Sequence, residues 1–368
     1  MLKGLLKNTD YIIVSIILIL FIIGVFGIYS AGYNTTINND EYVKQLMWFG
    51  VMFVVMIIVW AIDYNIFDIA GYIMYLISLI LLVLVLFTPT LMGAKSWFNF
   101  GFFLYQPSEL MKIAYILTLS KVLSIFNDNT KNSKMMKIGI SAALFLIPLI
   151  LIMLQPDFGT ATVFIAITIF IIFANGIKYR YILIGIALIL IIAPLVYFFV
   201  LNPIQQERIL VFIDPARDPL GSGYNAIQSK LAIGSGMIFG TGLLQGAQTQ
   251  FGYLPIKSTD FIFSVLSEEL GFIISGLIVV LYVVLLIRMM NIAKKTSNQF
   301  ARLVVTGITG MFFFHFVQNI GMTLGLLPIT GIPLPFLSYG GSSLITNCIA
   351  IAIVLNISAR KSKNLFFD

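Results

Sequence analysis

The sequence predicts an all-α integral membrane protein with about ten transmembrane helices, and three observations lead to this fold class. Hydrophobic residues make up 60% of the 368 residues and charged residues only 10%, whereas soluble domains are about 45–50% apolar and about 25% charged. The apolar residues form runs of about 20, the length that a helix needs to cross a bilayer. Lys and Arg fall mainly on one side of the resulting topology. We therefore expect a single polytopic membrane domain over residues 1–368.

The spans follow from these runs in chain order. The first run, Tyr11 to Tyr29, is longer than the apolar part of a signal peptide, so we interpret it as an uncleaved span. The fourth span carries Glu109 and Lys112 in its first turn, and the sixth span is short. The predicted spans are 11–30, 46–62, 69–87, 108–125, 138–154, 160–174, 181–201, 261–287, 303–326 and 341–358.

Lys and Arg residues set the orientation of the chain. With the N-terminus in the cytoplasm, 15 of the 22 Lys and Arg residues lie on the cytoplasmic side and six on the outer side. Both termini are therefore predicted to be cytoplasmic. The net charge of +7 is spread over short loops, so we expect no nucleic-acid partner. The single cysteine, Cys348, cannot form an intrachain disulfide.

Two connections differ from ordinary short loops. Residues 202–259, between the seventh and eighth spans, form a long outer loop whose apolar content and glycines predict ordered, partly helical structure at the membrane surface. Residues 327–343, between the ninth and tenth spans, are rich in Pro and Gly, which disfavour a helix. Irregular backbone at membrane depth is tolerated only where protein covers it or where it lines a wet cavity. We therefore predict a re-entrant loop that faces the same outer cavity as Asp260.

Charged residues at membrane depth are candidates for function because they are costly there. Glu109 and Lys112 are three residues apart on one helical face, so we predict an ion pair with charged atoms within about 4 Å. Asp157, in the turn between the fifth and sixth spans, either forms a helix cap or Asx turn or takes part in function. His315, the only histidine, is interpreted as a packed, hydrogen-bonded core residue.

Asp260, at the entry to the eighth span, has two interpretations. In one it caps the helix together with Ser258 or Thr259. In the other it is a carboxylate at the outer membrane surface that abstracts a proton from a substrate. Glu268 and Glu269 lie about 12–14 Å further along the helix at 1.5 Å per residue, too far for a paired acid and base. We expect these two glutamates to have a structural or proton-sharing role inside the bundle.

Seven strings of residues together resemble one known family. They are GAKSW at 93–97, QPSE at 106–109, QPDFGTA at 155–161, the DP pairs at 214–215 and 218–219, GSGYNAIQSKLAIGSG at 221–236, TDFIFSVLSEELG at 259–271, and LPITGIPLPFLSYGGSS at 327–343. The resemblance is to the SEDS family (shape, elongation, division and sporulation), with the RodA type nearer than the FtsW type. It covers essentially the whole chain.

This resemblance implies an inverting peptidoglycan glycosyltransferase that polymerises lipid II at the outer face of the bacterial cytoplasmic membrane during cell elongation and shape maintenance. Asp260 matches the family's proposed catalytic Asp, and the resemblance implies that it is the general base. The chain departs from the family in three places: Ser258 replaces a His, and Gly252 and Ile256 stand where relatives often have Glu. Asp260 is consequently the only carboxylate between Asp218 and Glu268.

The sequence contains no metal-ligand cluster and no nucleotide-binding motif, so we expect no resident cofactor. The leaving pyrophosphate would be neutralised by Arg208, by Lys230 or by a divalent cation, Mg or Mn. The candidate substrate-binding residues are Arg208, Gln228, Lys230, Ser338, Tyr339, Gly340 and Gly341, and the further candidates are Lys95, Asp157, Glu268 and Glu269.

One alternative function and one class of partner complete the expectations. The alternative is a lipid II flippase, which would need charged residues along a path through both leaflets. The resemblance implies work with a separate class B penicillin-binding protein transpeptidase, and with other membrane proteins of an elongation complex. We expect the partner's anchoring helix to pack near Gly276 and Gly307, and its outer stalk to contact the long loop.

Overall fold

The computed structural model describes residues 6–34, 40–64, 66–91, 93–101, 103–125, 131–176, 185, 194, 197–199, 203–218 and 221–360. These residues form helices and one antiparallel hairpin of β1 (Phe98–Asn99) and β2 (Leu104–Tyr105). The helices are α1 (Tyr11–Gly32), α2 (Glu41–Ala61), α3 (Ile66–Leu84), α4 (Pro107–Ile125), α5 (Lys131–Leu154), α6 (Phe158–Ala174), α7 (Pro203–Ile213), α8 (Ser222–Ser235), α9 (Ala247–Gln250), α10 (Ile262–Lys295), α11 (Gln299–Thr323) and α12 (Gly341–Arg360).

Seven of the described helices are long and apolar enough to cross a membrane: α1, α2, α3, α5, α10, α11 and α12. The apolar helix α6 is shorter, at 17 residues, and α4 includes three charged residues. These nine helices overlap nine of the ten predicted spans, and the predicted seventh span, 181–201, lies outside the described residues apart from 185, 194 and 197–199. Helices α2 and α5 begin several residues before the predicted spans. Their first turns are polar, and hydropathy detects only the apolar part of a helix.

The centre of the bundle is formed by α4, α11 and α12, which are largely buried. Close packing depends on small residues: a Cβ atom at Gly307 of α11 would lie 2.7 Å from Ile171 and 2.9 Å from Ile116. Gly307 is therefore covered within the chain and is not available to a partner helix, so that part of the prediction is wrong. Gly276 of α10 has open space around it.

The C-terminal end of α2 is capped by side chains from the end of α12. Asn356 Nδ2 donates to Val59 O (2.8 Å) and Trp60 O (3.0 Å), and Arg360 Nη2 donates to Ala61 O (2.8 Å). The last carbonyls of a helix have no partner within it, so these bonds satisfy acceptors that would otherwise be unpaired. Arg360, which the sequence suggests only as a topology signal, is buried and structural.

The 34-residue helix α10 is interrupted at Gly271, where φ is +76° and ψ is −173°. The interruption frees backbone groups that a continuous helix would pair internally. Residues 237–242 of the outer loop, called the strap below, supply the partners. The hydrogen bonds run from Thr241 N to Glu268 O (2.9 Å), Gly242 N to Glu269 O (3.0 Å), Phe272 N to Met237 O (2.8 Å) and Ile273 N to Ile238 O (3.3 Å).

The strap can approach α10 this closely only because glycines lie at the crossing. A Cβ atom at Gly236 would lie 1.9 Å from Ser267 O, and one at Gly271 would lie 2.2 Å from Gly240 N. The glycines of the outer loop therefore allow this close backbone approach. The predicted eighth span, 261–287, lies within α10, but hydropathy does not indicate the break, because the break depends on this backbone contact.

Substitution of Gly240 tests the strap. Gly240 has φ +84°, and a Cβ atom there would lie 2.1 Å from Glu269 O, whereas Gly252 has φ +76° with no atom within 4 Å. We expect Gly240→Ala to cost about 1–3 kcal/mol of stability beyond the cost of Gly252→Ala, because only the first adds a clash. Thermal unfolding of the detergent-purified variants measures the difference. Equal melting temperatures would contradict this role of the strap.

The outer loop is ordered and partly helical over its described residues, as predicted: it contains α7, α8, the strap and α9. Helix α8 packs against α10 and α11. Ser229 Oγ contacts Ser264 Oγ (2.7 Å) and donates to Thr323 O (2.8 Å). The loop is thus attached to the bundle immediately beside Asp260.

Candidate functional site

The backbone before α10 is held by three hydrogen bonds to successive carbonyl groups. Tyr339 N donates to Ser258 O (2.9 Å), Ser338 Oγ donates to Thr259 O (2.6 Å), and Asn319 Nδ2 donates to Asp260 O (3.0 Å). The first two donors belong to the Pro- and Gly-rich loop 327–340, and the third belongs to α11. The loop and Asp260 therefore lie together, as predicted.

Asp260 is partly buried, and its carboxylate lies against the loop: a Cβ atom built on Gly331 would be 3.4 Å from Asp260 Oδ2. The residue that caps α10 is Phe261, and no side chain makes a cap hydrogen bond there. Asp260 directly precedes this cap position, and its carboxylate faces the backbone at Gly331.

The predicted substrate-binding residues Ser338, Tyr339, Gly340 and Gly341 form the turn that enters α12. Ser338 Oγ also accepts from Leu334 N (2.8 Å), so its hydroxyl is used twice to hold backbone. A Cβ atom at Gly341 would lie 2.7 Å from Phe103, which brings the hairpin of β1 and β2 over the turn. The turn is thus a rigid wall next to Asp260.

Glu109 and Lys112 form the predicted ion pair, with 2.9 Å between Lys112 Nζ and Glu109 Oε1 and with both side chains almost fully buried. Lys112 Nζ also lies 3.2 Å from His315 Nε2, and His315 Nδ1 lies 3.2 Å from Pro333 O. A carbonyl oxygen can only accept, so Nδ1 carries the proton and Nε2 accepts from the ammonium group. The interpretation of His315 as a hydrogen-bonded core residue is confirmed, and the ion pair is linked through it to the loop 327–340.

Asp157 caps α6: its Oδ1 accepts from Thr160 N (3.0 Å) and its Oδ2 from Thr160 Oγ1 (2.8 Å). Gln106 Nε2 also donates to Asp157 Oδ2 (2.8 Å), which joins the QPSE and QPDFGTA strings. A Cβ atom at Gly159 would lie 2.5 Å from Thr330 O, so the same turn packs against the re-entrant loop. The capping interpretation of Asp157 is confirmed, and the cap also supports the wall of the site.

Glu268 and Glu269 are buried and hold the outer loop. Glu268 accepts from Gln248 N (2.7 Å), Thr249 N (3.0 Å) and Thr249 Oγ1 (2.6 Å), and so caps the short helix α9. Glu269 Oε1 accepts from Ser30 Oγ (2.6 Å) and from Gln250 Nε2 (3.0 Å). These contacts give the two glutamates the structural role that their position predicts.

Lys257 is attached to the same cluster. Its Nζ donates to Thr249 O (2.7 Å). Burial lowers the pKa of the Lys257 ammonium, and the nearby carboxylates of Glu269 and Glu268 oppose that shift. The bond from Lys257 joins the end of this stretch to Thr249 in α9, and the clamped carbonyls of residues 258–260 hold it next to the loop 327–340.

Lys230 lies on α8 and lines a surface pocket. The other lining residues are Val211, Phe212, Pro215, Ala226, Met322, Gly325, Leu327, Pro328 and Ile329. Lys230 is thus the charged group beside a largely apolar pocket, which shares the loop 327–340 with the surroundings of Asp260. Gln228 lies on the same helix, Lys95 is exposed near the hairpin, and the Arg208 side chain lies outside the described residues.

Several neutral residues of the site were missed by sequence reasoning. Asn319 is fully buried, and Gln45 Nε2 donates to Ser338 O (3.2 Å). Buried amides require hydrogen-bond partners. An Asn or Gln within an apolar span therefore indicates a polar contact inside the bundle. The partners themselves, which come from a distant loop, have no local signature.

The chain is similar over most of its length to known proteins of one family. A family model described as a cell cycle protein, of the FtsW, RodA and SpoVE type, matches residues 10–363. The chain is 34% identical over 429 aligned residues to the peptidoglycan glycosyltransferase RodA of Treponema pallidum (strain Nichols), covering 96% of this chain and 98% of that protein. It is 39% identical over 293 residues to the peptidoglycan glycosyltransferase MrdB of Escherichia coli (strain K12), covering 78% and 77%.

A solved structure extends the similarity to three dimensions. The fold matches a chain of the structure described as "Structural coordination of polymerization and crosslinking by a peptidoglycan synthase complex" with a TM-score of 0.79 and 29% sequence identity. The match covers 98% of this chain and 99% of that chain. The two chains therefore share their fold over almost their full lengths.

Proposed function

This chain belongs to the FtsW, RodA and SpoVE family and is a multi-pass membrane peptidoglycan glycosyltransferase, and we propose that it polymerises lipid II at the outer face of the bacterial cytoplasmic membrane. The observation that carries the proposal is the clamped segment 258–260, which holds a carboxylate beside a rigid loop, and other residues of that loop line an apolar pocket. Both termini would then lie in the cytoplasm, as the distribution of Lys and Arg indicates.

In the proposed reaction Asp260 is the general base. The 4-hydroxyl of one sugar attacks the anomeric carbon of another, and Asp260 takes the hydroxyl proton as the new C–O bond forms. The bond from the anomeric carbon to the pyrophosphate breaks at the same time, so the configuration inverts and no covalent enzyme intermediate is needed. Because the backbone of residues 258–260 is fixed, little reorganisation is needed to present the carboxylate.

The leaving group is the undecaprenyl pyrophosphate, and Lys230 is proposed to neutralise its charge. The pocket beside Lys230 is lined by apolar side chains of α7, α8, the end of α11 and the loop 327–340. A cation at the edge of an apolar pocket suits a ligand with an anionic head and a hydrocarbon tail. Arg208, in α7, is a second candidate for the same charge.

A divalent cation, Mg or Mn, is an alternative means of neutralising the pyrophosphate. Within the part of the chain that the structure describes, no group of three His, Cys, Asp or Glu side chains is arranged to hold a metal ion.

The working partner is proposed to be a class B penicillin-binding protein, with other membrane proteins of the elongation complex. The support is the similarity to a chain from a peptidoglycan synthase complex that coordinates polymerization and crosslinking. Gly276, which has open space around it, is the remaining candidate for contact with the partner's anchoring helix. The outer loop is proposed to contact its stalk, so that binding favours one arrangement of the loop.

The test uses purified chain with fluorescently labelled lipid II in detergent, with and without the co-purified transpeptidase. We expect glycan polymer from the chain and faster polymerisation by the pair. A flippase would instead move labelled lipid II across vesicle membranes and produce no polymer. A pair no faster than the chain alone would contradict the proposed partnership and leave the enzymatic activity intact.

A further inference from the structure

Asn319 connects Asp260 to the re-entrant loop through one side-chain amide. Its Nδ2 group donates to Asp260 O (3.0 Å) and also to Ile332 O (2.8 Å). Both partners are carbonyl oxygens, which only accept, so the amide orientation is fixed. The side chain is fully buried, so water does not compete for these bonds. The two N–H bonds of one group therefore hold two separate segments of backbone at a constant separation.

The second segment is the one against which the carboxylate lies. Gly331 directly precedes Ile332, and a Cβ atom built on Gly331 would be 3.4 Å from Asp260 Oδ2. Asn319 thus fixes both the backbone that carries the carboxylate and the backbone that the carboxylate faces. Ser338 and Tyr339 hold residues 258 and 259 but not Asp260 itself. Asn319 thus joins the backbone of Asp260 to the backbone next to Gly331 through one side chain.

We infer that Asn319 is a positioning residue for glycosyl transfer, acting through the backbone of Asp260 and without contact to the reacting atoms. The inference rests on the proposed role of Asp260 as general base. Misplacement of a catalytic group by about 1 Å can lower the rate by about 100-fold. Loss of the Asn319 amide should therefore lower kcat by about 100-fold. It should leave KM for lipid II nearly unchanged, because the amide is bonded to protein and not to substrate.

The neighbouring residue provides a matched control. Gln318 is also buried in α11, and its Nε2 donates to the same loop, at Pro328 O (2.8 Å), but makes no hydrogen bond to residues 258–260. Asn319→Leu and Gln318→Met each replace an amide by an apolar group of similar size. A purely structural role for these amides predicts similar losses in both variants. The positioning role predicts a selective loss of kcat in Asn319→Leu.

The experiment measures kcat and KM for labelled lipid II with the purified chain, and the melting temperature of each variant in detergent. Asn319→Ser is included because a hydroxyl can donate to one of the two carbonyls, and it should recover part of the lost kcat. If Asn319→Leu does not fold, Asn319→Ser carries the comparison with Gln318→Met. Equal kcat in the Asn319 variants and Gln318→Met would overturn the inference.

Asp260→Asn in the same set separates this inference from the proposed mechanism. An active Asp260→Asn variant would reject the assignment of Asp260 as general base, but it would not contradict the glycosyltransferase activity of the chain. An inactive Asp260→Asn variant with fully active Asn319 variants would instead reject only the positioning role. A change in KM as large as the change in kcat would also reject it, because it would indicate that Asn319 contributes to substrate binding.

Discussion

Asp260→Asn is expected to lower the rate of glycan polymerisation by about 10²–10⁴-fold, the usual contribution of a general base. The substitution keeps the size of the side chain and removes its capacity to take a proton. The bonds that hold this segment go to the carbonyl groups of residues 258–260, which the variant retains. The N-cap position of α10 is occupied by Phe261 and not by Asp260. The variant should therefore fold normally and be almost inactive in the labelled lipid II assay.

Asp40→Asn is the matched control for this experiment. Asp40 is an exposed Asp at the start of α2 whose side chain makes no cap hydrogen bond. It should have normal activity and a normal melting temperature. Near-normal polymerisation by purified Asp260→Asn would show that another group accepts the proton.

Glu109→Gln is expected to destabilise the protein by about 3–5 kcal/mol, the cost of breaking a buried ion pair by removing one partner. The change leaves the Lys112 ammonium buried without its counter-charge, since both side chains are at most 5% exposed. The effect should reach the loop 327–340, because Lys112 contacts His315 and His315 contacts Pro333. Thermal unfolding of the detergent-purified variant measures the loss.

Two further variants decide whether charge burial is the cause. Asp68→Asn breaks the more exposed ion pair with Lys121 and should cost at most about 1 kcal/mol. The double variant Glu109→Gln with Lys112→Met removes both charges and should be more stable than Glu109→Gln alone. A double variant that is less stable than the single one would instead mean that the pair contributes through packing.

The features predicted well from sequence depend on local spacing. The positions of nine helices follow from runs of apolar residues, and the Glu109–Lys112 pair follows from the three-residue spacing on a helix. The re-entrant loop follows from the three prolines that a helix cannot accommodate. Its position beside Asp260 follows from the requirement that irregular backbone be covered. Except for the position of the loop beside Asp260, each of these inferences needs only residues that are close together in the chain.

The features that were missed depend on contacts between distant parts of the chain. The amide of Asn319 and the strap at Gly271 act on backbone groups, which carry no residue identity in a sequence. The glycines at 236, 240 and 271 indicate close approach, but they do not identify the segment that approaches. Hydrogen bonds to backbone carbonyl groups between distant segments therefore cannot be predicted from residue identities alone.

The interrupted helix α10 also has a consequence for biogenesis. Without the strap, the carbonyl groups of Glu268 and Glu269 and the amide groups of Phe272 and Ile273 would be unpaired in an apolar span, which costs several kcal/mol for each group. The strap, residues 237–242, precedes α10 in the chain and so leaves the ribosome first. The hydrogen-bond partners of the broken helix α10 are therefore already synthesised when α10 enters the membrane. A circular permutant that places the strap after α10 would reverse this order, and newly made protein should then be degraded faster by membrane proteases.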